Sequence, residues 1–156
     1  RALTYLEVKR KNNADQTIKA RRQIDYLTEQ LTQEDHQFVA DHFPITAHLK
    51  PSLRTDFGRI TVVGKQTMER ATFDVNLQFD GNGGSGGFPR LVIAEIKQDR
   101  FRSRTPMMLA FRQLGLRPAS ISKYCTAGFE LVPELSLNRF QPILRSVKMT
   151  CNPARP

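Results

Sequence analysis

Residues 2–11 read as an extended strand, and from Thr4 to Lys11 it alternates: Tyr5, Glu7, Lys9 and Lys11 fall on one side, Leu6 and Val8 on the other. Asn12-Asn13-Ala14-Asp15 reads as a turn, and residues 17–24 as the returning strand with Thr17, Lys19, Arg21 and Gln23 on one face. Pairing of the two would put Lys19 and Arg21 in line with Lys9 and Lys11. An amphipathic helix competes for this segment, which contains neither Gly nor Pro. Thr32-Gln33-Glu34-Asp35 predicts a capped helix start with acidic residues suited to the helix dipole. That helix would bury Phe38, Val39 and His42, run to about Phe43 and end at Pro44. Residues 51–63, with Arg54 and Arg59, predict a strand, and Gly64-Lys65-Gln66 a hairpin loop.

The clearest alternation comes next. Ala71, Phe73, Val75, Leu77 and Phe79 are apolar, and Arg70, Thr72, Asp74, Asn76 and Gln78 interleave with them. Residues 81–87, rich in glycine, predict a flexible loop. They lack the Gly-Lys-Ser/Thr of a phosphate-cradling loop and precede a strand, where such a loop precedes a helix. Residues 90–98 form a strand in which Glu95 and Lys97 share a face, a second copy of the Glu-x-Lys pattern at Glu7 and Lys9. Arg100, Arg102 and Arg104 make a basic loop, most simply solvated. Thr105-Pro106 opens a helix, with Met107, Met108, Leu109, Phe111 and Leu114 as its core side and Gly115 near its end. Ser120–Cys125 suggests a further helical turn, and a weakly patterned apolar segment continues to about Met149.

The 156 residues fit one domain or most of one, with residues 1–150 as its body and 151–156 as a tail. The chain opens with Arg inside a strand-like run, which predicts a fragment whose first strands lie upstream. A net charge of +9 makes a polyanion the default partner. Two cysteines, Cys125 and Cys151, match no metal spacing or disulfide framework and suit a reducing, cytoplasmic setting. No run of eighteen apolar residues is present, so no membrane span is expected. His36, His42 and His48 recur every six residues, on different sides of a helix, which argues against zinc. No Gly-x-Ser-x-Gly occurs. Specific nucleic-acid binding is disfavoured, because the aromatics are apolar-face Phe and no recognised motif appears.

A Glu-x-Lys strand taken singly reads most simply as a surface ion pair worth about 0.2–1 kcal/mol. Repeated across antiparallel strands, the cations could instead line a barrel lumen, since either strand face can be the inner one. Cations crowded there would repel by several kcal/mol unless an anion of high charge density filled the space. Linear phosphate fits, accepting charge-assisted hydrogen bonds from Lys and Arg. Beside phosphate, Glu95, and less directly Glu7, could hold Mg²⁺ or Mn²⁺; an ion pair is the plainer role for both.

Six blocks in order carry a resemblance: Leu6-Glu7-Val8-Lys9-Arg10-Lys11, Thr17-Ile18-Lys19-Ala20-Arg21, residues 51–59, Glu69-Arg70-Ala71-Thr72-Phe73-Asp74, Ala94-Glu95-Ile96-Lys97 and Ser122-Lys123-Tyr124. From Leu6 to about Met149 the chain resembles the VTC domain, a member of the triphosphate tunnel metalloenzyme superfamily found in the fungal polyphosphate polymerase and in bacterial proteins. The resemblance implies an α+β fold in which an antiparallel β-barrel encloses a basic tunnel, flanked by helices and here incomplete at the N-terminus. It implies phosphate binding by Lys9, Lys19, Arg59, Arg70 and Lys123, with Lys97, Lys11 and Arg21 as lumen neighbours, and a metal on Glu95. The expected reaction is metal-dependent phosphoryl transfer from ATP to polyphosphate in the full-length protein. Hydrolysis of short polyphosphate and non-catalytic polyanion binding stand as alternatives. The family's opening strands have no counterpart before Arg1, so the segment by itself is expected to be inactive.

Overall fold

The computed structural model describes residues 3–12, 16–25, 30–43, 49–81, 83–132 and 141–151, save the side chains of Ile143 and Thr150. It is an α+β chain with antiparallel sheets of two and three strands, and no closed barrel is found among the described residues. Two units divide it, Arg1–Pro51 and Ser52–Pro156.

In the first unit, β1 (Thr4–Lys11) and β2 (Thr17–Ile24) form an antiparallel hairpin. Glu7 stands opposite Arg21 and Lys9 opposite Lys19. The strand reading of residues 17–24 wins over the helix because the ladder with β1 supplies the backbone partners. Helix α1 (Gln33–His42) belongs to the other face of the hairpin. From that face Arg22, paired across the ladder with Leu6, reaches both Asp35 and the Phe38 ring of α1. The charged face of the hairpin is thus the one α1 leaves uncovered.

The start of α1 follows the expected cap. Thr32 Oγ1 accepts from the Asp35 N–H at 3.2 Å, and the Asp35 carboxylate accepts in return from the Thr32 N–H at 2.9 Å. Of the three residues expected inside, Val39 is buried and Phe38 half-buried, but His42 is exposed. His42 sits in the last turn, with Nδ1 2.8 Å from the Phe38 carbonyl oxygen and its ring 4.6 Å from that of Phe38. There it covers a hydrophobic neighbour while remaining hydrated. The turn at Asn13–Asp15 and the stop at Pro44 lie outside the described residues.

The second unit is a sheet of order β3-β4-β5, with β3 (Leu53–Val63), β4 (Arg70–Gly81) and β5 (Gly84–Lys97). Helices α2 (Pro106–Gln113), α3 (Lys123–Leu131) and α4 (Gln141–Cys151) follow. Leu77, Phe79, Phe88, Leu91, Ala127 and Val147 form its buried core.

Here the simple alternation of β4 fails. Asn76 adopts φ 53°, a left-handed conformation, and the register on both neighbouring strands shifts beside it. A residue inserted this way reverses the phase of the strand. Ala71, Phe73 and Val75 therefore face one side, where Phe73 meets Phe111 of α2 edge-on at 6.1 Å. Leu77 and Phe79 face the other, together with Thr72 and Asp74, and pack beneath Ala127 of α3. Sequence alternation placed all five apolar residues on one face, and the bulge splits them.

Residues 84–87, expected as flexible loop, instead extend β5 and pair with Gly81, Asp80, Phe79 and Gln78. The glycines serve a close approach: a Cβ on Gly86 would lie 2.8 Å from the Phe79 ring. The apolar side expected for α2 is a further correction, since none of its residues is fully buried.

Candidate functional site: two charged sheet faces

Lys9, Lys11, Lys19 and Arg21 share one face of the hairpin, and Arg59, Arg70 and Lys97 share one face of the three-stranded sheet. On the hairpin, Lys9 and Lys19 oppose each other across the ladder, an arrangement of like charges that destabilises a sheet by itself. Glu7 offsets it. Its carboxylate pairs with Lys9 at 2.7 Å and with Lys19 still more closely. These two ammonium groups, Lys19 foremost, hold the Glu7 carboxyl below its ordinary range. Arg21 lies over the Tyr5 ring, 4.9 Å from its centroid. Lys11 ends the same row, opposite Thr17.

On the three-stranded sheet the corresponding row is Arg59, Arg70, Thr72, Asp74, Glu95 and Lys97. Register sets it: Arg59 opposes Asp74, Thr72 opposes Glu95, and Arg70 opposes Lys97, a second like-charge pair. Asp74 is the anchor of this face and is only 4% exposed. Arg59 grips it with both arms of its guanidinium, Nε at 2.6 Å and Nη2 at 2.8 Å. Lys123 comes down from the first residue of α3 to the same carboxylate at 2.5 Å. The Arg59 bonds push the Asp74 carboxyl below its usual value, against the opposing effect of burial, and Lys123 adds to them. Glu95 is exposed and pairs with Lys97 at 3.4 Å.

Lys123 owes its place to a local cap. Ser122 is extended, and its hydroxyl accepts from the Cys125 N–H at 3.3 Å, starting α3 at Lys123 itself. Tyr124, next along, meets the Ser52 hydroxyl at 3.0 Å. Phe57 completes the cluster. The Arg59 guanidinium lies 5.2 Å and the Lys123 ammonium 4.6 Å from its ring centroid, so two cations share one aromatic surface. Sequence reasoning gave Asp74 and Phe57 no role. The usable signal was a Phe-Gly-Arg run in a strand otherwise facing water, with an Asp on the neighbouring strand.

The carboxylates do not form a preassembled metal cage. Glu7 belongs to the first unit and Glu95 to the second, and both Asp74 oxygens are engaged by cations. Among the described residues no three of His, Cys, Asp and Glu are placed to hold a metal ion. Glu95 could offer one carboxylate to a hard ion whose other ligands were phosphate oxygens and water, as Mg²⁺ sites often do. An open groove of about 430 Å³ lies elsewhere. Its lining includes Asp56, Gln78, Asp80 and Ser85 but no Lys or Arg, so it does not suit a polyanion.

No helix among the described residues is long and apolar enough to cross a membrane. No protein-family model, curated protein or solved structure matches the chain.

Proposed function

We propose that this chain is part of a polyphosphate-handling domain of the triphosphate-tunnel type, in which charged strand faces turn toward a threaded phosphate chain. The observation that carries the reading is the clustering of Arg59, Arg70, Lys97 and Lys123 on one sheet face, with Arg70 directly opposite Lys97. Repulsion of that kind persists in a folded sheet at least cost when an anion shares both cations. The hairpin repeats the motif with Lys9, Lys11, Lys19 and Arg21. Thr72 adds support: its hydroxyl is buried on the same face as these cations and lacks a hydrogen-bond partner among the described residues. An anion oxygen reaching it would relieve a cost of about 1–3 kcal/mol.

In the full-length protein the reaction would be phosphoryl transfer from ATP to polyphosphate. A terminal oxygen of the acceptor attacks the γ-phosphorus, the bond from that phosphorus to the β–γ bridging oxygen breaks, and ADP leaves. No protein nucleophile is required. Lys and Arg align donor and acceptor in line and stabilise the spreading negative charge. Mg²⁺ or Mn²⁺ at Glu95 would supply further neutralisation of the transferred group. A cytoplasmic setting agrees with the two free thiols of Cys125 and Cys151.

Incubation of the full-length protein with ATP and Mn²⁺ should yield polyphosphate, and Arg70→Ala should abolish that while leaving the fold intact by circular dichroism. Free phosphate released without chain growth would assign hydrolysis instead. Non-catalytic polyphosphate binding is the second reading, favoured by the lack of a carboxylate cage among the described residues. It requires that Glu95→Ala leave tripolyphosphate affinity unchanged in the presence and absence of Mn²⁺.

A further inference from the structure

The segment from Arg100 to Arg117 carries five Arg and no Asp or Glu. Helix α2 lies within it. An ordinary surface helix puts its apolar side inward and its polar side outward. This one sends Phe111 to the sheet, yet its outward side carries Leu109, with Arg112 beside it, and both are exposed. Beyond the helix, Leu114 is 71% and Leu116 53% exposed, and before it Phe101 is 82% exposed. Arg100, Arg102, Arg104 and Arg117, all exposed, alternate with these apolar side chains.

The nearest carboxylates do not neutralise the patch. Glu69 is buried beneath the start of α2, where it accepts from the Gln98 side chain at 3.0 Å, from the Thr105 hydroxyl and from the Met107 N–H at 3.2 Å. Asp99, at the edge of the segment, is exposed. Exposed bulky apolar side chains interspersed along the chain with exposed arginines, and no acidic residue within the segment, match the boundary between headgroup phosphates and acyl chains.

We infer that α2 and its flanks, from Arg100 to Arg117, form a peripheral docking surface for an anionic lipid bilayer. Leu109, Leu114, Leu116 and Phe101 enter the outer acyl region, and the arginines bond headgroup phosphates. This surface is separate from the charged row of the sheet, because α2 packs through Phe111 on the Phe73 side of β4, and Asp74 faces the opposite side. The protein contains no Trp, so a Trp introduced on the patch reports without background.

The test is flotation of the full chain with vesicles of phosphatidylcholine alone or with phosphatidylglycerol added. Binding is expected only with phosphatidylglycerol, together with a blue shift and brominated-lipid quenching for Leu114→Trp. The charge-neutral change Phe101→Ser/Leu109→Ser/Leu114→Ser should cut affinity at least tenfold, and Arg102→Gln roughly fivefold. Affinity indifferent to the Ser substitutions would reduce the effect to the general attraction of a +9 protein and overturn the proposal. So would self-association through Leu114 with no vesicle binding, which would assign the patch to a protein contact. Tripolyphosphate affinity of the Ser variant should match the parent, so loss of lipid binding and failure of the polyphosphate reading are told apart.

Discussion

The two charged faces are built on one plan and differ in what stands above them. Each has a carboxylate clamped by two cations: Glu7 by Lys9 and Lys19, Asp74 by Arg59 and Lys123. On the hairpin the clamp faces away from α1, and Lys9 and Lys19 are both half or so in water. On the three-stranded sheet α3 lies over the same face as the clamp, and the Asp74 carboxylate is almost wholly enclosed. Burial turns a carboxylate held by two cations from a loose surface cluster into a fixed fitting. Water screens the first and lets its ammonium groups turn to a ligand, whereas the second holds a guanidinium and an ammonium at set positions beside Phe57.

Removing the buried anchor gives the largest effect. Asp74→Ala should destabilise the chain by about 2–3 kcal/mol in urea denaturation, below the usual cost of a broken buried pair because the Arg59 end is half in water. A loss under about 0.5 kcal/mol would equate the two faces. Next comes Glu69→Ala, which leaves the start of α2 without its acceptor and should cost about 1–2 kcal/mol, by analogy with loss of an N-cap. Thr105 occupies the cap position, but its hydroxyl donates to Glu69 and makes no cap bond of its own.

Acid titration separates the faces more finely. Glu7, through Lys19 and then Lys9, and Asp74, through Arg59 and then Lys123, both have folded pKa values below their unfolded ones. Their stabilisation is therefore complete above the unfolded values, near pH 4, and fades as pH falls through the folded ones. Asp74→Asn should flatten the acid limb of stability against pH, and Glu7→Gln should leave it nearly unchanged. At neutral pH the Glu7→Gln change should cost less than about 0.5 kcal/mol, and less still in high salt.

How far these features could be read in advance follows from their range along the chain. The hairpin was legible because its signal is local: alternation marked both faces, although a helix competed for residues 17–24 until the ladder with β1 decided it. Lys123 needed a resemblance, since nothing local links a helix start to Asp74, which lies in a strand well before it. Asn76 escaped because polar residues alternate through it unbroken, and a left-handed backbone leaves no mark in hydropathy. The run at residues 84–87 misled because glycine serves both flexibility and close approach, and only the Phe79 ring decides between them. In α2 the apolar residues read as core on composition, but a two-turn helix on one sheet face can cover only one of its own sides.

Asn76 also sets a parity rule for β4. Before it, even-numbered side chains point toward α3; after it, odd-numbered ones do, so the ionic row and the greasy cluster share a roof although the numbering alone would oppose them. Deleting that one residue would restore an uninterrupted zigzag and force a choice. Either Leu77 and Phe79 would keep their place under α3, or Thr72 and Asp74 would, but not both sets at once.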